Sequence, residues 1–213
     1  MNENDILEKL RNAIINGNSV DTIDLTKKAL IAKVDPKQIL NDAIIKGADI
    51  VGGKYENAEY FLGDMLLAAE AINDCMNEIK PILKEAGHKV PGKVVIGTPE
   101  GDLHDIGKSL VIALLQGQGF EVIDLGVDVK PERFLEVAKK ENVDIVGLSG
   151  LLTMTISKMR ETITLLKQEG ISAKIILGGG VLSEESCRQI GADAWAKDGW
   201  EGVKKIKEIM GDP

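Results

Sequence analysis

Histidine, cysteine and aromatic side chains are all scarce in this chain, and no apolar run is long. Its 213 residues include 2 histidines, 2 cysteines, 2 tryptophans, 2 tyrosines and 3 phenylalanines. His88 and His104 are too few for a three-histidine metal cage. Cys75 and Cys187, far apart in the chain, do not form a zinc knuckle, and so sparse a cysteine content suits a reducing cytoplasm. With 34 acidic against 26 basic residues the formal charge is −8. An acidic chain lacks the electrostatic footprint of a nucleic-acid binder, and the few aromatics leave no stacking platform. The same sign disfavours an anionic membrane surface. No segment reaches the roughly 18 apolar residues of a bilayer span. The start, Met1-Asn2-Glu3-Asn4-Asp5, is acidic and polar where a secretory signal is basic and then apolar. The expectation is a cytoplasmic protein with neither nucleic acid nor membrane as partner, whose chemistry rests on very few ligands.

What is present divides in two. Hydrophobic residues make up 44% and charged residues 28%, the profile of a globular protein. Through residue 87 the pattern is helical. Ile6, Leu7, Leu10, Ile14 and Ile15 recur at three- and four-residue spacing, the stripe of an amphipathic helix. Gly17 stops that helix, and Asn18 or Ser19 can cap a second one carrying Ile23, Leu30 and Ile31. Asp35-Pro36 opens a third, with Pro36 suited to its first turn, and Gly52-Gly53 is expected to end it. A fourth runs from about Glu59 to Ala86, with Pro81 expected to kink it or to start a separate turn. Four helices joined by short turns predict a small bundle.

After Gly87 the pattern changes to short β-branched runs. These are Lys93–Gly97, Glu121–Leu125, Asp144–Leu148 and Lys174–Gly178, with a weaker fifth at Ala192–Ala196. Helical stretches alternate with them. Continuous apolar strands separated by helices predict a parallel five-stranded sheet covered on both faces, of flavodoxin-like or Rossmann-like type. The expected domains are therefore 1–87, a helical cap, and 88–213, an α/β domain. Open sheets of this kind bind ligands at the carboxyl ends of their strands, where the strand order reverses.

The strand-end loops hold the candidate chemistry. The loop after the first strand contains Asp102, His104, Asp105 and Gly107. A carboxylate bonded to one imidazole nitrogen fixes the tautomer and turns the other nitrogen outward as a ligand. With no further histidine nearby this is a single-imidazole ligand, which suits a metal whose other positions a macrocycle fills. Read alone, the loop is equally a helix cap with a solvated histidine. The loops after the third and fourth strands supply Ser149, Leu151, Thr153 and Thr155, then Gly178 and Gly179, small residues that permit close backbone approach. No phosphate-cradling G-x-G-x-x-G or G-x-x-x-x-G-K-[ST] follows a strand.

Together, Asp102-x-His104-x-x-Gly107, then 41 residues, Ser149-x-Leu151, then 26 residues, and Gly178-Gly179 resemble the cobalamin-binding fingerprint of methyl-carrying corrinoid proteins. Seven identities at fixed spacing are far more specific than a lone motif. The resemblance covers the whole chain: a four-helix cap followed by a flavodoxin-like domain is similar to the corrinoid proteins of methylamine, methanol, glycine betaine and methoxyaromatic methyltransferase systems, and to the cobalamin-binding region of methionine synthase. It implies a cobalamin or related corrinoid bound with its lower base detached, His104 on the lower face of cobalt, and Asp102 as its hydrogen-bond partner. The family's relay ends at a serine where this chain has Thr155. Ser149, Leu151, Thr153, Gly178 and Gly179 would line the slot for the detached tail. Tyr55 and Leu62 match the Phe and Leu, seven positions apart, that shield the upper face of the corrin, with Tyr replacing Phe; on spacing alone they read as bundle core.

The implied function is a methyl carrier, not a complete enzyme alone. Its implied partners are a substrate:corrinoid methyltransferase, a second methyltransferase acting on tetrahydrofolate or a thiol, and a reductive activase. Two alternatives share the architecture, a cobalamin-dependent regulator or sensor and the cobalamin-binding subunit of a mutase. The absence of a DNA-binding segment and the acidic charge weigh against the first, and the cap helices with their shielding pair against the second.

Overall fold

The computed structural model describes residues 2–211, which gather into two compact units. The first comprises the helical residues up to Val90 together with Ala113–Gly119; the second comprises Pro91–Ile112 and the residues from Phe120 onward.

The first unit is helical throughout. Helix α1 (Glu3–Ile15) begins at a reciprocal cap, in which Asn2 accepts from the Asp5 N–H and Asp5 from the Asn2 N–H. Helix α2 (Ser19–Ile31) is capped by Asn18. The turn between them is glycine for two reasons: Gly17 has φ +64°, and a Cβ there would lie 2.5 Å from that of Leu67. Next come α3 (Pro36–Gln38), a π-helical segment (Ile39–Ile45), α4 (Lys46–Glu56) and α5 (Leu62–Glu85). Ile6, Leu10, Ile14, Ile39, Ile44, Ile72 and Ile79 form the buried seam.

Three local expectations are corrected here. Gly52-Gly53 does not end the third helix, because Ala48, Val51 and Gly52 are buried and keep this stretch packed as helix to Glu56. The turn comes at Ala58, which takes a left-handed φ of +57°, and the next helix starts only at Leu62, where Asp64 accepts from the Phe61 N–H. Pro81 does not start a separate turn, since α5 continues through it to Glu85.

From Pro91 onward the chain alternates strand and helix: β1 (Lys93–Gly97), α6 (Ile106–Gly117), β2 (Glu121–Asp124), α7 (Pro131–Glu141), β3 (Ile145–Ser149), α8 (Thr155–Gln168), β4 (Lys174–Gly178), α9 (Glu184–Ile190), β5 (Ala194–Ala196) and α10 (Gly199–Met210). All pairings are parallel and the strand order is β2-β1-β3-β4-β5, the flavodoxin-like arrangement. Val94, Val95, Val146, Ile175 and Leu177 are buried in the sheet, each contributing about 1.5–3 kcal/mol by removal from water. Phe134 on α7 fills the space over β1; a Cβ on Gly97 would come within 2.7 Å of its ring. In this order the chain reverses direction of travel between β1 and β3, and the loops leaving those two strands open side by side.

Candidate cofactor site

The loop after β1 is strapped on both sides. Toward β2, the Gly101 N–H donates to Asp128 Oδ1 at 2.8 Å, the Asp128 N–H to the Asp102 carbonyl at 3.1 Å, and the Val129 N–H to the Thr98 carbonyl at 2.9 Å. Toward α8, the Lys158 ammonium meets the Glu100 carboxylate at 2.8 Å. Hydrogen bonds donated to Glu100 and Glu161 push the pKa of Lys158 upward.

Asp102 is the centre of the site. Its side chain is fully buried and accepts five hydrogen bonds. Oδ1 takes the His104 N–H at 3.0 Å and the His104 ring Nδ1 at 2.6 Å. Oδ2 takes the Leu151 N–H at 2.8 Å, the Leu152 N–H at 3.3 Å and the Thr155 hydroxyl at 2.8 Å. Burial by itself would raise the carboxyl pKa, but the bonds from Leu151, His104 and Thr155 outweigh it and hold the group well below the usual carboxylate range. An ionised carboxylate can only accept, so Nδ1 of His104 carries a proton toward Asp102, and in the neutral imidazole the free lone pair is on Nε2. The His104 ring is about half exposed. Its main chain is fixed as well, because the buried Thr98 hydroxyl donates to the His104 carbonyl at 2.9 Å.

The other predicted residues fall as follows. Ser149 and Gly178 are register partners at the ends of β3 and β4, and the Gly150 N–H donates to the Gly178 carbonyl at 3.0 Å. Gly179 has φ +117°, and a Cβ there would lie 1.9 Å from the Gly150 carbonyl oxygen, so no other residue fits between these loops. Leu151 binds Asp102 through its backbone, while Thr153 is exposed beside it. Gly107 stands in the first turn of α6, where an added Cβ meets nothing within 4 Å. Asp105 pairs with Lys108 at 2.8 Å, a hydrogen bond that lowers its carboxyl pKa. Tyr55, on α4, and Leu62, the first residue of α5 and about half exposed, belong to the helical unit. His88 follows α5, where its N–H donates to the Leu83 carbonyl at 3.0 Å. Lys108 was not singled out by the sequence reading, although a lysine inside an otherwise apolar helix is a readable signal.

The donor set fits a group that brings most of its own ligands. Among the described residues no cluster of three or more His, Cys, Asp or Glu could hold a metal ion, yet one imidazole is oriented and half exposed. Around it Leu103, Ile106, Leu151 and Met154 are 71%, 64%, 48% and 67% exposed, an apolar rim that suits the face of a large flat ligand. Beside the rim, the glycines of the β3 and β4 loops and the open space over Gly107 leave room that side chains would otherwise fill.

Comparison with known proteins gives this arrangement its class. Residues 92–204 match a B12 binding domain family, and residues 6–80 match a second B12 binding domain family. A corrinoid protein of Desulfitobacterium hafniense is 36% identical over 211 residues, with 97% of this chain and 98% of that one covered. Dimethylamine corrinoid protein 1 of Methanosarcina acetivorans is 37% identical over 214 residues, covering 99% of this chain and all of the relative. The solved methanol:cobalamin methyltransferase complex of Methanosarcina barkeri superposes with a TM-score of 0.85 at 28% identity, covering 98% of this chain and 81% of that one. The fold and site thus define a cobalamin-binding protein. More particularly, the chain belongs to the methyltransferase corrinoid proteins, and its cofactor is cobalamin or a related corrinoid.

Proposed function

We propose that this protein carries a methyl group between two methyltransferases: one that takes it from a small methylated substrate, and one that hands it to tetrahydrofolate or a thiol. A reductive activase would complete the system, in the cytoplasm. The carrying observation is the chain Thr155–Asp102–His104, which ends in a half-exposed imidazole whose Nδ1 is already engaged. The names of the relatives, dimethylamine corrinoid protein among them, and the methanol:cobalamin complex support the same reading.

The corrinoid supplies a cobalt centre able to accept and release a methyl group. The chain's own residues set the conditions. His104 would offer Nε2 to the cobalt. Asp102 holds the imidazole in the tautomer that leaves Nε2 unprotonated, and Thr155 donates to the oxygen that does not face the histidine. Ser149, Leu151, Thr153, Gly178 and Gly179 would line a slot for the corrinoid's tail, and Gly107 would leave room for the ring. Tyr55 and Leu62 would screen the methyl group from water.

The test uses the full chain loaded with cobalamin. In the cobalt(II) state, one axial nitrogen splits the paramagnetic resonance lines in three, and histidine labelled with the heavy nitrogen isotope changes three lines to two. His104→Ala is expected to keep the corrinoid and lose the splitting. The carrier role is read by adding a methylamine or methanol methyltransferase with an isotopically labelled methyl donor: label transferred to the corrinoid supports it. Retained splitting in His104→Ala, or label that never leaves the donor, overturns it.

A further inference from the structure

We propose that Lys108 is a positioning residue for the histidine ligand, an inference that rests on the reading of His104 given above. Lys108 lies in the first turn of α6, and its side chain is 1% exposed. Its ammonium contacts Asp105 Oδ1 at 2.8 Å and Asp124 Oδ1 at 2.7 Å. Asp105 directly follows His104, and Asp124 is the last residue of β2. The same Asp124 oxygen also accepts the Gly126 N–H at 2.8 Å, so the far end of the clamp is itself anchored.

The clamp holds the side of the loop that the Asp102 network does not reach. Asp102 and Thr98 fix the His104 ring and carbonyl from the β1 and β3 side. Residue 105, where the loop turns into α6, is held through its carboxylate by Lys108. A fully buried ammonium is costly unless paired, and here both partners are themselves about half exposed. Without the cation, two carboxylates face each other across the space it occupied. Asp105, whose carboxylate then keeps only its Ser109 hydrogen bond, turns toward water and carries the adjacent His104 backbone away from its fixed orientation. The partners of the Lys108 ammonium are Asp105 and Asp124, not the imidazole. It acts through the placement of residue 105.

The experiment measures, in cobalamin-loaded full-length protein, the fraction of cobalt(II) that shows the histidine nitrogen splitting. Lys108→Met is expected to keep a full equivalent of cobalamin while shifting the ligated-to-unligated equilibrium about tenfold toward unligated, the size expected for a group that supports a ligand from behind. Adding Asp105→Asn to that variant removes the carboxylate repulsion and is expected to restore most of the splitting. Asp124→Asn, a milder change that leaves the Lys108–Asp105 pair intact, is expected to shift the equilibrium in the same direction by less, and it keeps the test available should Lys108→Met not fold. A lysine that merely stabilised α6 would lower the unfolding midpoint without moving this equilibrium, and Asp105→Asn would not rescue it. An unchanged split fraction in Lys108→Met or in Asp124→Asn, or no recovery in the double variant, overturns the proposal. If the unmodified protein shows no histidine nitrogen at all, the reading of His104 itself fails.

Discussion

Replacing Asp102 by asparagine separates charge from shape at the centre of the site. The side chain keeps its size, but one acceptor oxygen becomes an NH2 donor. Oδ2 already serves three donors, Leu151, Leu152 and Thr155, and Oδ1 serves two, so the amide nitrogen replaces Oδ1. The His104 N–H then loses its acceptor. The ring can bond the new NH2 only by taking it at a deprotonated Nδ1, which moves the proton to Nε2, the atom meant for cobalt. One orphaned N–H and the weakening of the remaining bonds from charge-assisted to neutral together cost about 2–4 kcal/mol.

The pH dependence has a defined sign. The Asp102 carboxyl is depressed in the folded state, so its stabilisation is complete above its unfolded pKa of about 4 and is lost as pH falls through the lower folded value. The wild-type advantage over Asp102→Asn should therefore be constant near neutrality and shrink by about 1.4 kcal/mol per pH unit below about pH 4. Urea unfolding of both apoproteins at pH 7 and at pH 3, followed by circular dichroism, measures this; the cobalt(II) resonance of the loaded variant reports the tautomer. A loss below about 0.5 kcal/mol at neutral pH, a gap that does not narrow between pH 7 and pH 3, or a retained histidine splitting would refute the reasoning.

Two glycine replacements should behave in opposite ways. Gly179→Ala places a methyl 1.9 Å from the Gly150 carbonyl at φ +117°, so a loss above about 2 kcal/mol in thermal or urea unfolding is expected together with lost cobalamin retention on gel filtration. Gly107→Ala meets nothing in the protein and sits in a helix. It should raise apoprotein stability by up to about 1 kcal/mol, while equilibrium titration shows weaker cobalamin binding because the methyl occupies ligand space; unaltered binding would mean that Gly107 does not face the corrinoid.

The α/β unit was legible because its signals are local and strong. Each of the five apolar runs became a strand, and the loops at residues 98–105, 149–155 and 178–180 proved to leave the sheet from the same edge. The relay from Asp102 to Thr155 could be anticipated only through the family resemblance, since 53 positions separate the partners. In the helical unit the glycine rule failed at Gly52-Gly53 because burial of the neighbouring face outweighs the intrinsic cost of glycine in a helix. The π-helical turn at Ile39–Ile45 has no sequence marker; it depends on how α1 and the third helix pack. Lys108 carries only a weak sequence signal, a lysine among the apolar residues of α6, and its burial is what marks the charge as paired inside.

The parallel strand order also sets an order of assembly. Asp102 and His104 arrive with β1, Thr155 after β3, and Gly179 after β4, so no segment shorter than about half the unit contains the whole arrangement. Parallel pairing between distant stretches is slow to form, because loop closure precedes any reward. The groups that would hold the corrinoid therefore come together only as the sheet itself is completed, so every strand from β1 to β4 contributes to building the site.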